Sequence, residues 1–232
     1  MAHPNVHRHE IRRFRWKQRS ACELTSYEVT ISIGQPGSRT AQDYTVQVTA
    51  VTDLLPSTQG LISDHAHIIV THLDWSHIRS YLVQLARNCP QVSEREARDI
   101  FLRYFNESPV AHNLPPGRGR LSITGFDPPW HQQDGSITLT FGVNDKRSGP
   151  DAELRVEATT PAALTVRAAG GSLVLCHRAT ILVERMDLET IKTHIRQRVS
   201  SCSNADLASA LPQLQKYFRA DWEHSLSRNI TY

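Results

Sequence analysis

His65 and His67, two histidines with one residue between them, are the first residues here whose spacing suggests chemistry. In an extended strand alternate side chains share a face, so such a pair can open a metal site. No third ligand is identifiable, and the metal assignment is none. His7 and His9 repeat the spacing in the N-terminal stretch and are set aside on that account. Cys22, Cys89, Cys176 and Cys202 are scattered, with no C-x-x-C pair, and read as reduced thiols. The chain contains no glycine-rich phosphate loop, no G-x-S-x-G and no H-E-x-x-H.

Residues 1–20 form a basic N-terminal arm. His7, Arg8, Arg12, Arg13, Arg15, Lys17 and Arg19 stand there against a single acid, Glu10, with Phe14 and Trp16 interleaved. Phosphate attraction and base stacking both use such residues, which gives a nucleic-acid reading. The competing reading is a surface strand or arm packed on a neighbouring subunit. The formal net charge is only +3, too weak to imply nucleic acid by itself. Nucleic acid is therefore not the expected partner.

These residues must be held by elements the sequence can encode. The chain has 232 residues, of which 39% are hydrophobic and 21% charged, a globular composition with room for one large domain or two small ones. No apolar run approaches the roughly 20 residues that a membrane span needs. The basic N-terminus lacks the apolar core of a secretory signal, so the expected location is cytoplasmic and no membrane partner is expected.

Tyr27, Val29, Ile31 and Ile33 alternate with polar residues, and so do Tyr44, Val46, Val48 and Ala50. With the turn signal of residues 35–38 between them, these predict an antiparallel hairpin with a wide loop. Ile78, Tyr81, Leu82 and Leu85 have the spacing of one helical face, and Pro90 stands where that helix should stop. Ser93 and Glu96 form a capping box before the apolar face of Ala97, Ile100, Phe101, Tyr104 and Phe105. Two strands follow, over 121–125 and 136–143.

Residues 153–166 and 173–183 are again strand-like. Asp187 caps a stripe of Leu188, Ile191 and Ile195, and Leu207, Leu211, Leu214 and Phe218 make another. Pro212 must lie near the first turn of that helix or kink it. The helices are predicted near 76–88, 93–106, 187–200 and 205–219. The chain thus divides into the arm, a first unit over 21–145 and a second, shortened unit over 150–232. The tail, 222–232, reads as extended. Such units leave sheet edges unpaired, so side by side they can extend one sheet, and symmetric copies can close it into a barrel. A homo-oligomer, tetramer or dimer, is expected.

Six segments resemble the urate oxidase (uricase) family in order. Residues 63–71, SDHAHIIVT, are similar to that family's "DNS", apolar strand, "ATD" stretch. Residues 77–86 and 96–105 resemble its two helices, 154–160 its "LKVLKTT", 176–182 its "DRILAT" and 222–232 its closing "VEYSLPNKHY". The resemblance implies an α+β fold of tandem tunnelling-fold (T-fold) units, each an antiparallel sheet with paired helices on one face, with a barrel formed by oligomerisation. It further implies cofactor-independent oxidation of a planar nitrogen heterocycle by dioxygen at a subunit interface.

By that resemblance Thr71 takes the position of the catalytic threonine, and a helix N-cap would use the same oxygen. His72 stands where the family has an acid, with Asp74 nearby. Arg178 matches the substrate arginine, Leu164 the stacking phenylalanine and Asn229 the asparagine above the ring. Leu207 or Ala208 falls at the glutamine, and Thr231 at the last histidine. No lysine occurs between Lys17 and Lys146, so the family's proton relay is missing. The expected function is a divergent uricase-like enzyme in which Thr71, His72 and Asp74 replace the relay and Arg178 anchors the ligand, with no cofactor. Ordinary urate oxidation is not expected. The alternative is a non-catalytic T-fold binding module or a structural partner of an active paralogue.

Overall fold

The structure, a computed structural model, describes residues 9–21, 24–54, 61–63, 66–90, 92–107, 121–147, 151–202 and 206–220. The first half gives β1 (Glu10–Ala21), β2 (Leu24–Gly34), β3 (Gln42–Ala50), β4 (Leu61–Ser63), β5 (His67–Val70), α1 (Trp75–Arg87), α2 (Glu94–Phe101) and β6 (Asn106–Glu107). The second half gives β7 (Leu121–Phe126), β8 (Trp130–His131), β9 (Ile137–Asp145), β10 (Asp151–Thr159) and α3 (Pro161–Ala169). It continues with β11 (Val174–Cys176), β12 (Thr180–Val183), α4 (Leu188–Ser201), α5 (Leu207–Tyr217) and β13 (Arg219–Ala220).

This is an α+β fold with two open sheets. The first runs β1-β2-β3-β5-β11, with β6 also on β3. The second runs β4-β12-β10-β9-β7, with β13 on β10 and β8 on β9. The expectation that two units extend one sheet is corrected, because hydrogen bonding closes each set on its own. β7 and β9, which the order of elements grouped with the first unit, pair into the second sheet through β10. From residue 10 onward the basic stretch is β1, paired along its length with β2.

The two sheets exchange one strand each. β11 pairs antiparallel with β5 in the first sheet, and β4 pairs antiparallel with β12 in the second. In both sheets a parallel pair stands beside the exchange, β3 with β5 and β10 with β12. Ala66 and Ala179 precede those parallel strands in the left-handed region, with φ of 49° and 51°. Each turns its carbonyl to the neighbouring strand, accepting from the Gln47 amide at 2.9 Å and the Glu157 amide at 3.0 Å. Alanine rarely adopts this conformation, so its recurrence at one position in both sheets marks a shared backbone device. Ala66 and Ala179, Asp74 and Asp187, Ile78 and Ile191, Cys89 and Cys202, and Phe105 and Phe218 all stand at one common interval.

The helices form where period and caps placed them. Asp74 accepts from the Ser76 and His77 amides at 3.0 and 3.1 Å to start α1. The Ser93–Glu96 capping box starts α2, Asp187 starts α4 and Asp206 starts α5. α2 ends at Phe101, earlier than predicted, and the chain turns so that Phe105 is still fully buried. Pro212 lies in the second turn of α5, past the position expected for it.

α3 replaces the end of a predicted strand. Thr160 caps it by accepting from the Ala163 amide at 3.2 Å, and Pro161 opens it. Proline suits the first helical position because that N–H has no helical partner. The predicted strand over 173–183 is likewise two strands, broken around Ala179.

Each sheet buries one face under two helices. Val29, Ile31, Val46, Val48, Ile68 and Val70 meet Ile78, Leu82 and Phe101. Leu139, Phe141, Leu154 and Val156 meet Ile191, Ile195, Leu214 and Phe218. A third cluster of Ile69, Leu164, Leu175 and Leu182 joins the strands at the exchange to α3. Burying one such side chain contributes about 1.5–3 kcal/mol, so this small cluster is a firm link between the halves.

Candidate functional site

Thr71, His72 and Asp74 lie on the loop that carries β5 into α1. Thr71 is half-buried and does not cap the helix: its hydroxyl donates to the Ser172 carbonyl, and its amide donates to the Leu173 carbonyl at 2.9 Å. Both bonds hold the loop before β11. His72 is exposed. Asp74 is the cap, and its second oxygen meets His77 Nδ1 at 2.7 Å. Hydrogen bonds from the His77 amide and ring, and then from Ser76, hold its carboxyl below the usual carboxylate range. An anion spent on capping is a poor proton acceptor.

Arg178 lies between β11 and β12. Its guanidinium carbon stands 5.1 Å over the Tyr104 ring. Nη1 donates to the Tyr104 hydroxyl at 3.5 Å and Nη2 to the Gln215 carbonyl at 3.3 Å. The side chain thus ties the end of α2's turn to α5. Leu164 is fully buried in the third apolar cluster, and Leu207 is buried in the second core at the start of α5. Neither is exposed at the surface of this chain. Asn229 and Thr231 lie outside the described residues, as does His65. His67 is buried with Nε2 2.9 Å from the Thr49 hydroxyl.

Two cavities are open to solvent near the first sheet. One of about 100 Å³ is lined by His9, Gly34, Thr40, Tyr44, Glu94 and Arg98 among others. The second, about 220 Å³, is lined by Arg19, Glu28, Thr45, Gln47, Ala66 and Asn106 with Val46. Both fall below the roughly 300–1,000 Å³ of a ligand pocket. Thr71 and Arg178 line neither. Burial pushes the Cys176 thiol up to about 12 and the Cys89 thiol up to about 11, so neither supplies a thiolate nucleophile near neutral pH.

Sequence reasoning missed two constellations. Arg167, on α3, pairs with Asp134 and Glu157. It also donates to the Ser136 hydroxyl at 2.9 Å and the Leu175 carbonyl at 3.3 Å. It fastens α3 to both sheets, and only the Thr160-Pro161 helix start could have signalled it. The other is aromatic. Trp16 of β1 stacks on Trp75 of α1, with centroids 4.7 Å apart and planes 2° from parallel. Tyr27 meets both edge-on, at 5.6 and 5.1 Å. Trp16 is 49% exposed, a large apolar surface on the outermost strand of the sheet. Beside it Arg13, Arg15, Lys17 and Arg19 share the other face of β1, opposite Ser32, Thr30, Glu28 and Ser26.

Residues 122–226 match the model of the family described as Immunity protein 8. The match begins in β7 and runs past β13, covering the second sheet's own strands and their helices. No curated protein and no solved structure matches the chain. The family match overturns the resemblance to urate oxidases and with it the reading as a uricase-like, heterocycle-oxidising enzyme. Short apolar strands followed by capped helices are common to many α+β chains, and six loosely similar segments do not separate one such family from another. No described helix is long and apolar enough to cross a membrane.

Proposed function

We propose that this chain is a protein-binding module of the immunity-protein kind, which neutralises a toxin protein by occupying it. The observation that carries the reading is the family match across the unit from β7 to β13. The site chemistry supports it. Thr71, Asp74 and Arg178 each spend their polar groups on loops, a helix start and an aromatic ring of this chain. The two cavities near the first sheet are too small for a heterocyclic substrate with its reactants. The partner class is a folded protein, recognised through surface contacts.

Growth rescue tests the reading. Toxin domains from the genome that carries this chain are expressed one at a time, with and without it. One toxin is expected to lose its growth arrest when the chain is present and to co-purify with it in fixed stoichiometry. Growth arrest that persists for every such toxin, with the chain in excess, overturns the reading.

A further inference from the structure

We infer that the outer edge of β1 is a docking surface for an acidic protein segment, which adds a strand to the first sheet. The inference rests on the immunity-type reading for its partner class and on three observations for its place.

The edge is open. β1 has 12 residues and stands at the end of the first sheet, and its outer side pairs with no strand among the described residues. Alternate backbone N–H and C=O groups on that side, unpaired with any strand among the described residues, suit an incoming strand.

The edge is basic. Arg12, Arg13, Arg15, Lys17 and Arg19 stand on one strand with Glu10 as its only acid. Glu28 of β2 engages Lys17 at 2.9 Å and Arg19 as well, and Arg12 engages Glu10 at 3.2 Å. Arg13 and Arg15, both exposed, have no ion-pair partner among the described residues. A second copy of this chain would set this stripe against itself, which like charges oppose. An acidic segment answers it.

The edge also carries an anchor. Charges alone are a common guard against strand pairing. A guard needs no half-exposed tryptophan, yet Trp16 is held rigid by its stack on Trp75 and by Tyr27. Trp, Tyr and Arg are the residue types that dominate binding energy at protein interfaces. Nucleic acid fits less well. It has no peptide groups to complete the strand edge, and Glu10 and Glu28 within the stripe would face its phosphates.

The probe is a blocked synthetic peptide of alternating Glu and Val, as long as β1. It is added to the full chain while tryptophan fluorescence and amide hydrogen exchange are followed. Binding is expected to shift the emission, slow exchange along β1 and weaken as salt rises. R13E/R15E should weaken it about tenfold or more. W16S, which also loses the stack on Trp75, should weaken it when both chains are compared well below their thermal midpoints. Absence of β1 protection, equal binding of a Lys-Val peptide, or full affinity in R13E/R15E would each overturn the inference. Tighter binding of double-stranded DNA than of the acidic peptide would assign the edge to nucleic acid instead. The growth test needs no peptide, so its failure removes the toxin reading alone. If R13E/R15E still rescues growth, the toxin reading stands and this surface does not serve it.

Discussion

The imidazole of His177, between β11 and β12, stands 3.0 Å through Nδ1 from the hydroxyl of Tyr81 on α1. Its Nε2 lies 3.0 Å from the Tyr104 carbonyl, which can only accept. Nε2–H therefore donates to the Tyr104 carbonyl, and in the neutral ring Nδ1 accepts from the Tyr81 hydroxyl. A residue of the second half is in this way built into the aromatic floor of the first, beside Phe105 at 5.9 Å.

Tyr81→Phe removes the hydroxyl and leaves Nδ1 without that donor, in a side chain only 8% exposed. The expected loss is about 1–3 kcal/mol, read from urea unfolding. His177→Ala should cost more, because the bond to Tyr104 and the ring contacts go as well. An unchanged urea midpoint in both variants would show that the exchanged strands hold the halves without this residue.

Acid should destabilise the fold through His67. Burial lowers its pKa from 6.5 to about 4, because a charged ring would sit in the core away from water. The folded state thus favours the neutral ring. The stabilisation is complete above the unfolded pKa of 6.5 and is lost as pH falls through about 4. Its size is roughly 3 kcal/mol. Burial lowers His9 too, which adds in the same direction. Stability curves of the wild type and His67→Gln, taken across that window, should converge towards low pH. Parallel curves would remove His67 as the cause.

Leu164→Ala probes the cluster at the strand exchange. The side chain is fully buried with Ile69, Leu175 and Leu182. Truncation is expected to cost about 2–5 kcal/mol, the range for a buried leucine whose cavity cannot collapse. Protection of backbone amides in both sheets should fall together. A loss confined to the second sheet would show that α3 does not couple the halves.

The capped, periodic parts of this chain were legible from the sequence. A helix declares itself within a dozen residues: Ile78, Leu82 and Leu85 repeat on one face, Asp187 and the Ser93–Glu96 box stand at starts, and the hairpin of β2 and β3 alternates around its turn. All of these depend on contacts between near neighbours, and all were placed within a few residues. The apolar faces were legible for the same reason, since each is a local pattern.

What the tertiary structure decided involves partners far apart in the chain. Residues 10–19 fell within the stretch assigned as a basic arm, and pairing with β2 makes them a strand. Sheet membership was not legible in the order of the elements, because β7 follows α2 in sequence but bonds to β9, and β9 to β10. The exchange of β4 and β11 has no sequence signature: three residues carry too little pattern, and their partners lie in the other half. Arg178 and Thr71 were assigned to a site through the resemblance to urate oxidases. Only packing shows where a donor is spent, and here Arg178 is spent on Tyr104 and Gln215 and Thr71 on Ser172. A sequence determines local periods and caps directly, whereas strand partners and the use of polar groups follow from which distant surfaces meet.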